Sequence, residues 1–211
     1  MSRKRPDQPK GRLSFSERRA VILAAASEVL AANGYEQASM REIAKASKVT
    51  TPVLYDHFRS KIDLYLAVVQ HHAEKLIVSW SARPPTADTS ELFKQSSKAF
   101  FSWIRQNEES WRILFLDNPR DPAAVQAHQQ VRGLATEAVA RLLETLPPTR
   151  IPGSVDAADA NLAIAAHLTG SGNALASWWW DNRDISTETI VELNYELVWN
   201  GLGSFMGERA E

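Results

Sequence analysis

The chain has no cysteine. That absence removes disulfides, thiol catalysis and cysteine-based zinc sites from the readings open to it. Its first residues contain no apolar core of the kind that directs secretion, so the expected location is the cytoplasm. Long apolar runs are missing too. Ala160 to Trp180 carries no Asp, Glu, Lys or Arg, but Asn161, His167, Thr169, Ser171, Asn173, Ser177 and two glycines interrupt it. A membrane span needs about 20 predominantly apolar residues, so this stretch reads as a helix buried inside the protein. Neither strand alternation nor an internal repeat is visible. No nucleophile–base constellation and no phosphate-cradling loop stands out, and His71-His72 and His128 lack metal-ligand spacing with carboxylates. The expectation is a protein that is not an enzyme, with no catalytic residue, no metal, no cofactor and no membrane contact.

What is present is an ordinary apolar fraction, 44%, in 211 residues, enough for a small domain beside a larger one. The net charge of −1 hides an asymmetry. Through Lys61 there are 12 Lys+Arg against 6 Asp+Glu; from Ile62 onward there are 12 against 19. An anionic partner is therefore expected for the first part only.

Caps and apolar spacings predict an all-helical chain. Residues 1–13 are basic, with Pro6, Pro9 and Gly11, and read as a flexible arm that either reaches phosphates or a minor groove or simply solubilises the chain. A first helix begins at Ser14 or Ser16, the former with Glu17 at capping-box spacing. It carries Ile22, Leu23, Ala26, Val29 and Leu30 inward and stops at Gly34. Arg18 and Arg19 sit in its first turn, the unfavourable end of the helix dipole, as though something anionic lay nearby. Ser39 and Glu42 predict a second capping box. After a turn at Ser47 to Val49, Thr50 is expected to cap a third helix with Pro52 in its first turn and Val49 stapled onto Leu54. Leu54 and Phe58 point to the core; Thr51 and Tyr55 share an outward face. Ser60 caps a fourth helix, with Asp63 at N3, running to about Trp80. Arg83 to Thr89 is a loop, and further helices are expected at about 90–107, 109–116, 122–146, 156–182 and 187–206.

Two short helices at a tight angle expose the first turns of the second one to a DNA major groove. Thr50, Thr51, Pro52 and Tyr55 suit that position: hydroxyls for phosphate or base edges, and a flat ring that packs along the sugar-phosphate chain. Lys61 lies at a helix N-terminus, where backbone N–H groups favour a phosphate. At these residues the chain resembles the TetR family of transcriptional regulators. The resemblance rests on Ile22-Leu23-Ala24-Ala25-Ala26, Gly34-Tyr35, Ile43-Ala44, Val49-Thr50, Leu54-Tyr55-Asp56-His57-Phe58 and Ser60-Lys61 followed by Leu64, in order over about 50 residues. It implies that Thr50, Thr51, Pro52, Tyr55 and Lys61 face DNA, that Ser39 and Arg41 contact phosphates, and that His57 either reaches a phosphate or packs at its helix end. Lys48 departs from the pattern, standing where the family usually has glycine. If that position needs φ > 0, lysine costs about 1 kcal/mol, while adding a cation near the phosphates.

The resemblance further implies a homodimer whose larger helical domain binds a small molecule and pairs through its last two long helices. The last helix supports this independently. Ile190, Leu193 and Leu197 make one apolar stripe and Val191, Tyr195, Val198 and Leu202 a second, so two packing partners are needed. The expected organisation is an arm at 1–13, a three-helix helix-turn-helix domain at 14–61, and a ligand-binding and dimerisation domain at 62–211. Candidate pocket residues are Phe100, Trp103, Trp111, Phe115, His167, Asn173 and Trp178, an aromatic wall with few polar groups. Trp178, Trp179 and Trp180 fan through about 200° and so cannot all line one cavity. The expected function is a repressor released from a palindromic double-stranded DNA operator by a small, largely apolar effector. The alternatives are a small-molecule-binding protein or enzyme with a vestigial DNA domain, and a nonspecific architectural DNA binder.

Overall fold

The computed structural model describes residues 13–80, 88–146 and 156–202. All regular structure in them is helical: α1 (Phe15–Gln37), α2 (Met40–Ala46), α3 (Thr51–His57), α4 (Lys61–Trp80), α5 (Thr89–Gln106), α6 (Glu108–Trp111) running into a π-wound turn (Arg112–Leu116), α7 (Pro122–Leu143), α8 (Ala157–Trp180) and α9 (Thr187–Leu202). The arm expected at 1–12, the loop at 83–87 and the breaks at 147–155 lie outside the described residues, as does the end of α9 past residue 202. None of the described helices is long and apolar enough to cross a membrane.

Ser14, not Ser16, caps α1. Its Oγ accepts from the Glu17 N–H at 3.2 Å, and Glu17 accepts from the Ser14 N–H at 2.7 Å, satisfying two otherwise orphaned donors. Gly34 does not stop the helix. Its backbone, at φ 71 and ψ 171, kinks the chain, and one more turn follows through Gln37. The second expected capping box is only half made: Ser39 accepts from the Glu42 N–H, but the Glu42 carboxylate accepts from Asn33 Nδ2 at 3.0 Å instead. Thr50 stands at the N-cap of α3 without a side-chain bond, so its hydroxyl is uncommitted rather than capping. Ser60 caps α4 as expected, accepting from the Asp63 N–H at 3.1 Å.

One large core joins the first four helices to the rest. Ile22, Ala26, Leu30, Ile43, Leu54 and Phe58 pack in the same cluster as Tyr65, Val68, Leu76, Trp111 and Leu114. The tryptophan run fans as its spacing requires. Trp179 is buried edge-on against Phe101, Trp180 is half-buried against Trp111, and Trp178 is exposed. In α9 the first apolar stripe splits: Ile190 is buried while Leu193 and Leu197 are exposed, Leu197 at 65%. The inward face includes two residues the stripes had left out, Asn194 and Trp199.

Candidate DNA interface and ligand cavity

The surface of the α2–α3 pair is built by elimination. Met40, Ile43, Ala44, Leu54 and Phe58 are buried, which fixes the rotation of both short helices. Ser39, Arg41, Lys48, Thr50, Pro52 and Tyr55 are then left exposed, and Thr51 half-exposed, on the outer side. The two faces expected of α3 are thus separate, with Tyr55 at 47% exposure and Leu54 at none. Lys48 has φ 56, the conformation that glycine adopts freely. It lets the Val49 N–H reach the Ala44 carbonyl at 3.0 Å and turns the chain sharply between the helices.

Two predicted residues are engaged locally. The Lys61 ammonium lies 4.5 Å over the Tyr35 ring and donates to the Glu36 carbonyl at 3.2 Å, so it braces the end of α1. The His57 ring packs on Phe15 at 4.1 Å, with its Nδ1 buried and unpartnered; this is the packing alternative for that residue. Arg19, at the unfavourable end of the α1 dipole, stacks its guanidinium 4.1 Å over Phe58.

A cavity lies among α5, α7, α8 and α9, enclosing about 1020 Å³ of space including its open mouth. Three of the seven expected pocket residues line it: Phe100, Phe115 and Asn173. The other four do not. Trp111 and Trp103 are core residues, whereas His167 and Trp178 are exposed on the far side of α8. His167 is one position from the lining residue Leu168, and one position on a helix is a rotation of about 100°. The lining that the sequence reading missed is aliphatic: Leu92, Val139, Leu142, Leu146, Ile164, Leu168 and Val198, with Phe93 and Trp199. In α7 the signal was the repeat Ala135, Val139, Leu142, Leu146 on one face.

The cavity is long. Thr136 Oγ1 meets Thr169 Oγ1 at 3.2 Å, while Ala140 and Leu143 pack with Ile164 and Ala165, so α7 and α8 run antiparallel along it. A Cβ on Gly172 would lie 3.6 Å from Phe100, which sets Phe100, Phe115 and Asn173 at one end and Thr89, Leu146 and Ile164 towards the other. From Thr89 to Phe100 the lining follows α5 for about 16 Å at 1.5 Å per residue. No lining side chain is charged. The polar groups are few: Asn194 Nδ2 donates to Ser97 Oγ at 2.8 Å, Thr169 donates to the Ala165 carbonyl, and Asn173 Oδ1 is buried with no partner.

Between cavity and α2–α3 surface, two polar clusters cross the helices. His72 Nε2 lies 2.9 Å from Ser27 Oγ and Nδ1 lies 2.7 Å from Ser110 Oγ. Because Ser27 gives its proton to the Leu23 carbonyl, Nε2 carries the hydrogen and Nδ1 accepts from Ser110. Burial, then the positive charge of Lys75, lowers His72 to about 4, so the ring is neutral. In the second cluster Asp117 Oδ2 accepts from the Tyr35 N–H at 3.0 Å and from the Tyr65 hydroxyl at 2.7 Å. Tyr65 also meets His128 Nε2 at 2.7 Å, and the Tyr35 hydroxyl donates to Asp121 at 3.1 Å. Burial, then the bond to Asp121, pushes Tyr35 up to about 12; burial and Asp117 likewise raise Tyr65, so both phenols keep their protons as donors. Among the described residues no group of His, Asp or Glu has the arrangement of a metal site.

Comparison with known proteins agrees with this anatomy. Residues 22–68, which span α2, α3 and the turn between them, match the bacterial regulatory proteins of the tetR family. The HTH-type transcriptional activator FasR of Mycolicibacterium smegmatis is 34% identical over 194 residues, covering 90% of this chain and 85% of FasR. A TetR-like transcriptional regulator from Rhodococcus sp. RHA1 superimposes with a TM-score of 0.71 at 25% identity, over 93% of this chain and all of that one. The transcriptional regulator FadR from Bacillus subtilis, solved in complex with stearoyl-CoA, shares the fold with a TM-score of 0.62 at 18% identity, over 83% of this chain and 97% of FadR. The chain belongs to the TetR family of helix-turn-helix transcriptional regulators.

Proposed function

We propose that this regulator, as a homodimer, reads a palindromic operator with α3 and that an apolar, chain-like effector in the cavity changes its hold on DNA. The observation that carries the proposal is the cavity: about 16 Å of lining along α5 with no charged side chain. Burying a charge there without a partner would be prohibitive. The effector therefore places an uncharged apolar chain inside and keeps any ionised head at the mouth. An extended acyl chain fits this description, and a protein of the same fold, FadR, has been solved with stearoyl-CoA. The alternative of an architectural DNA binder predicts no such cavity.

The DNA-binding end is taken as residues 14–61 and the effector-binding and dimerisation end as 62–211. On the outer surface Thr50, Thr51, Pro52 and Tyr55 enter the major groove, with Ser39, Arg41 and Lys48 placed for phosphates. Lys61 acts through Tyr35 and Glu36, and His57 through Phe15, more than by direct contact. As a repressor the dimer leaves its operator when the effector binds. FasR is named an activator, so a reporter fused to the adjacent promoter decides the direction in this chain.

The test combines DNA and effector. An operator found in the intergenic DNA beside the gene should be shifted by the native protein, and stearoyl-CoA should change that affinity. At 100 times its Kd the ligand should also add about 2.7 kcal/mol of stability in a thermal melt. Tyr55→Ala should lose the operator while remaining a folded dimer. A melt unmoved by acyl-CoA removes the effector assignment, and operator binding retained by Tyr55→Ala removes the α3 assignment.

A further inference from the structure

We propose that Asp117 is the positioning residue that ties the α2–α3 surface to the cavity and passes effector occupancy from one to the other. The transmission half of this proposal rests on the cavity being the effector site; the positioning half does not. Three observations converge on this carboxylate. Phe115, two residues before it, forms part of the inner end of the cavity. The segment between them closes the π-wound turn, with the Asp117 N–H bonded to the Arg112 carbonyl at 3.0 Å, so a displaced Phe115 moves a short, tightly wound piece of backbone. Asp117 Oδ2 then takes two hydrogen bonds from the other side, from the Tyr35 backbone and from the Tyr65 hydroxyl.

Tyr35 belongs to the last turn of α1, and only Glu36, Gln37 and Ala38 separate it from Ser39, the N-cap of α2. Holding the Tyr35 N–H therefore holds the entry to α2. A second backbone link runs beside the first: the Arg120 N–H donates to the Glu36 carboxylate at 2.8 Å. The Gly34 kink makes the approach possible, since a Cβ there would stand 3.0 Å from Asp117 Oδ1. An ionised carboxylate bonded to two donors from separate helices is a directional contact; it holds one relative placement and weakens sharply when that placement shifts. Apolar packing alone tolerates sliding. The carboxylate is what makes the placement discrete.

The test uses the full chain, whose lack of cysteine leaves introduced ones as the only labelling sites. Lys45→Cys on α2 and Gln129→Cys on α7 are both exposed. With spin labels there, and labelled chains diluted with unlabelled ones, pulsed electron–electron spectroscopy reads the distance between the two ends. Asp117→Ala should broaden the distance distribution while circular dichroism keeps its helical signal; an unchanged distribution overturns the positioning role. Tyr65→Phe removes one hydroxyl without opening the core and should broaden the distribution less. It carries the same test if Asp117→Ala does not fold, and an unchanged width there likewise overturns the proposal. Stearoyl-CoA should shift the native distance and lose that effect in Asp117→Ala, although a thermal melt still shows it bound. A shift of equal size in Asp117→Ala overturns the transmission role. If stearoyl-CoA binds neither protein, the acyl effector fails, while the widths still judge the role of Asp117.

Discussion

Neutral His72 is held between Ser27 and Ser110, with its folded-state pKa lowered from 6.5 to about 4 by burial and by Lys75. Between those values the unfolded chain binds a proton that the folded chain refuses. Stability is therefore fully present above about pH 6.5 and is lost as pH falls towards about 4, by up to about 3 kcal/mol at one site. Denaturant melts at neutral pH and at about pH 4.5 should show that loss, and His72→Gln should flatten it. An equally steep acid loss in the variant would place the sensitivity elsewhere, with His128, also lowered by burial, the next group to test. Single residues divide sharply in how far the sequence revealed them. Lys48 was legible, because a positive φ in a tight turn follows from the motif even where lysine replaces glycine. His72 and Asp117 were not. Their partners lie 38 to 82 residues away, and no local spacing encodes a hydrogen bond of that range.

At the scale of elements, the helix ends were readable from caps and breakers, while the special geometry inside helices was not. Gly34 reads as a stop because glycine follows an apolar repeat. Its ψ of 171 instead kinks the chain and α1 resumes, because Tyr35 and Ala38 bury their side chains on the next turn. That backbone conformation is essentially open to glycine alone, at a cost of about 1–3 kcal/mol for other residues. Gly34→Ala should be destabilising by at least that amount in a denaturant melt, since its Cβ would also press on Asp117; a variant as stable as the native protein would show that the kink can relax. The π-wound turn was equally invisible, since Arg112 to Leu116 has an ordinary helical composition. The cavity was missed for a different reason. Aromatic residues attracted the prediction, yet large rings such as Trp111 and Trp103 fill core volume, while medium aliphatic side chains leave the space.

Across the whole molecule, the exposed apolar residues of the last two helices call for a partner. Leu162 and Trp178 on α8 and Leu193 and Leu197 on α9 are all more than a third exposed, and two amphipathic helices offering such faces suit a second copy of the chain. Leu197→Glu should convert the dimer into a monomer in sedimentation experiments with its helical signal intact, because a carboxylate would replace an apolar contact worth about 2 kcal/mol per subunit; a dimer that persists would move the interface away from this face. The all-helical architecture was readable because caps and periodicity are local, and the split of charge marked which end faces an anion. How the ends are joined was not local, and the shared core bears on any attempt to recombine them. Ile22, Leu54 and Phe58 cluster with Tyr65, Val68 and Leu114, so a cut at Lys61 would strip the first three helices of much of their interior. A chimera that transplants this operator specificity onto another sensor therefore has to carry the first half of α4 and the Arg112–Asp121 segment with it. The smallest exchangeable part of this regulator is discontinuous in sequence.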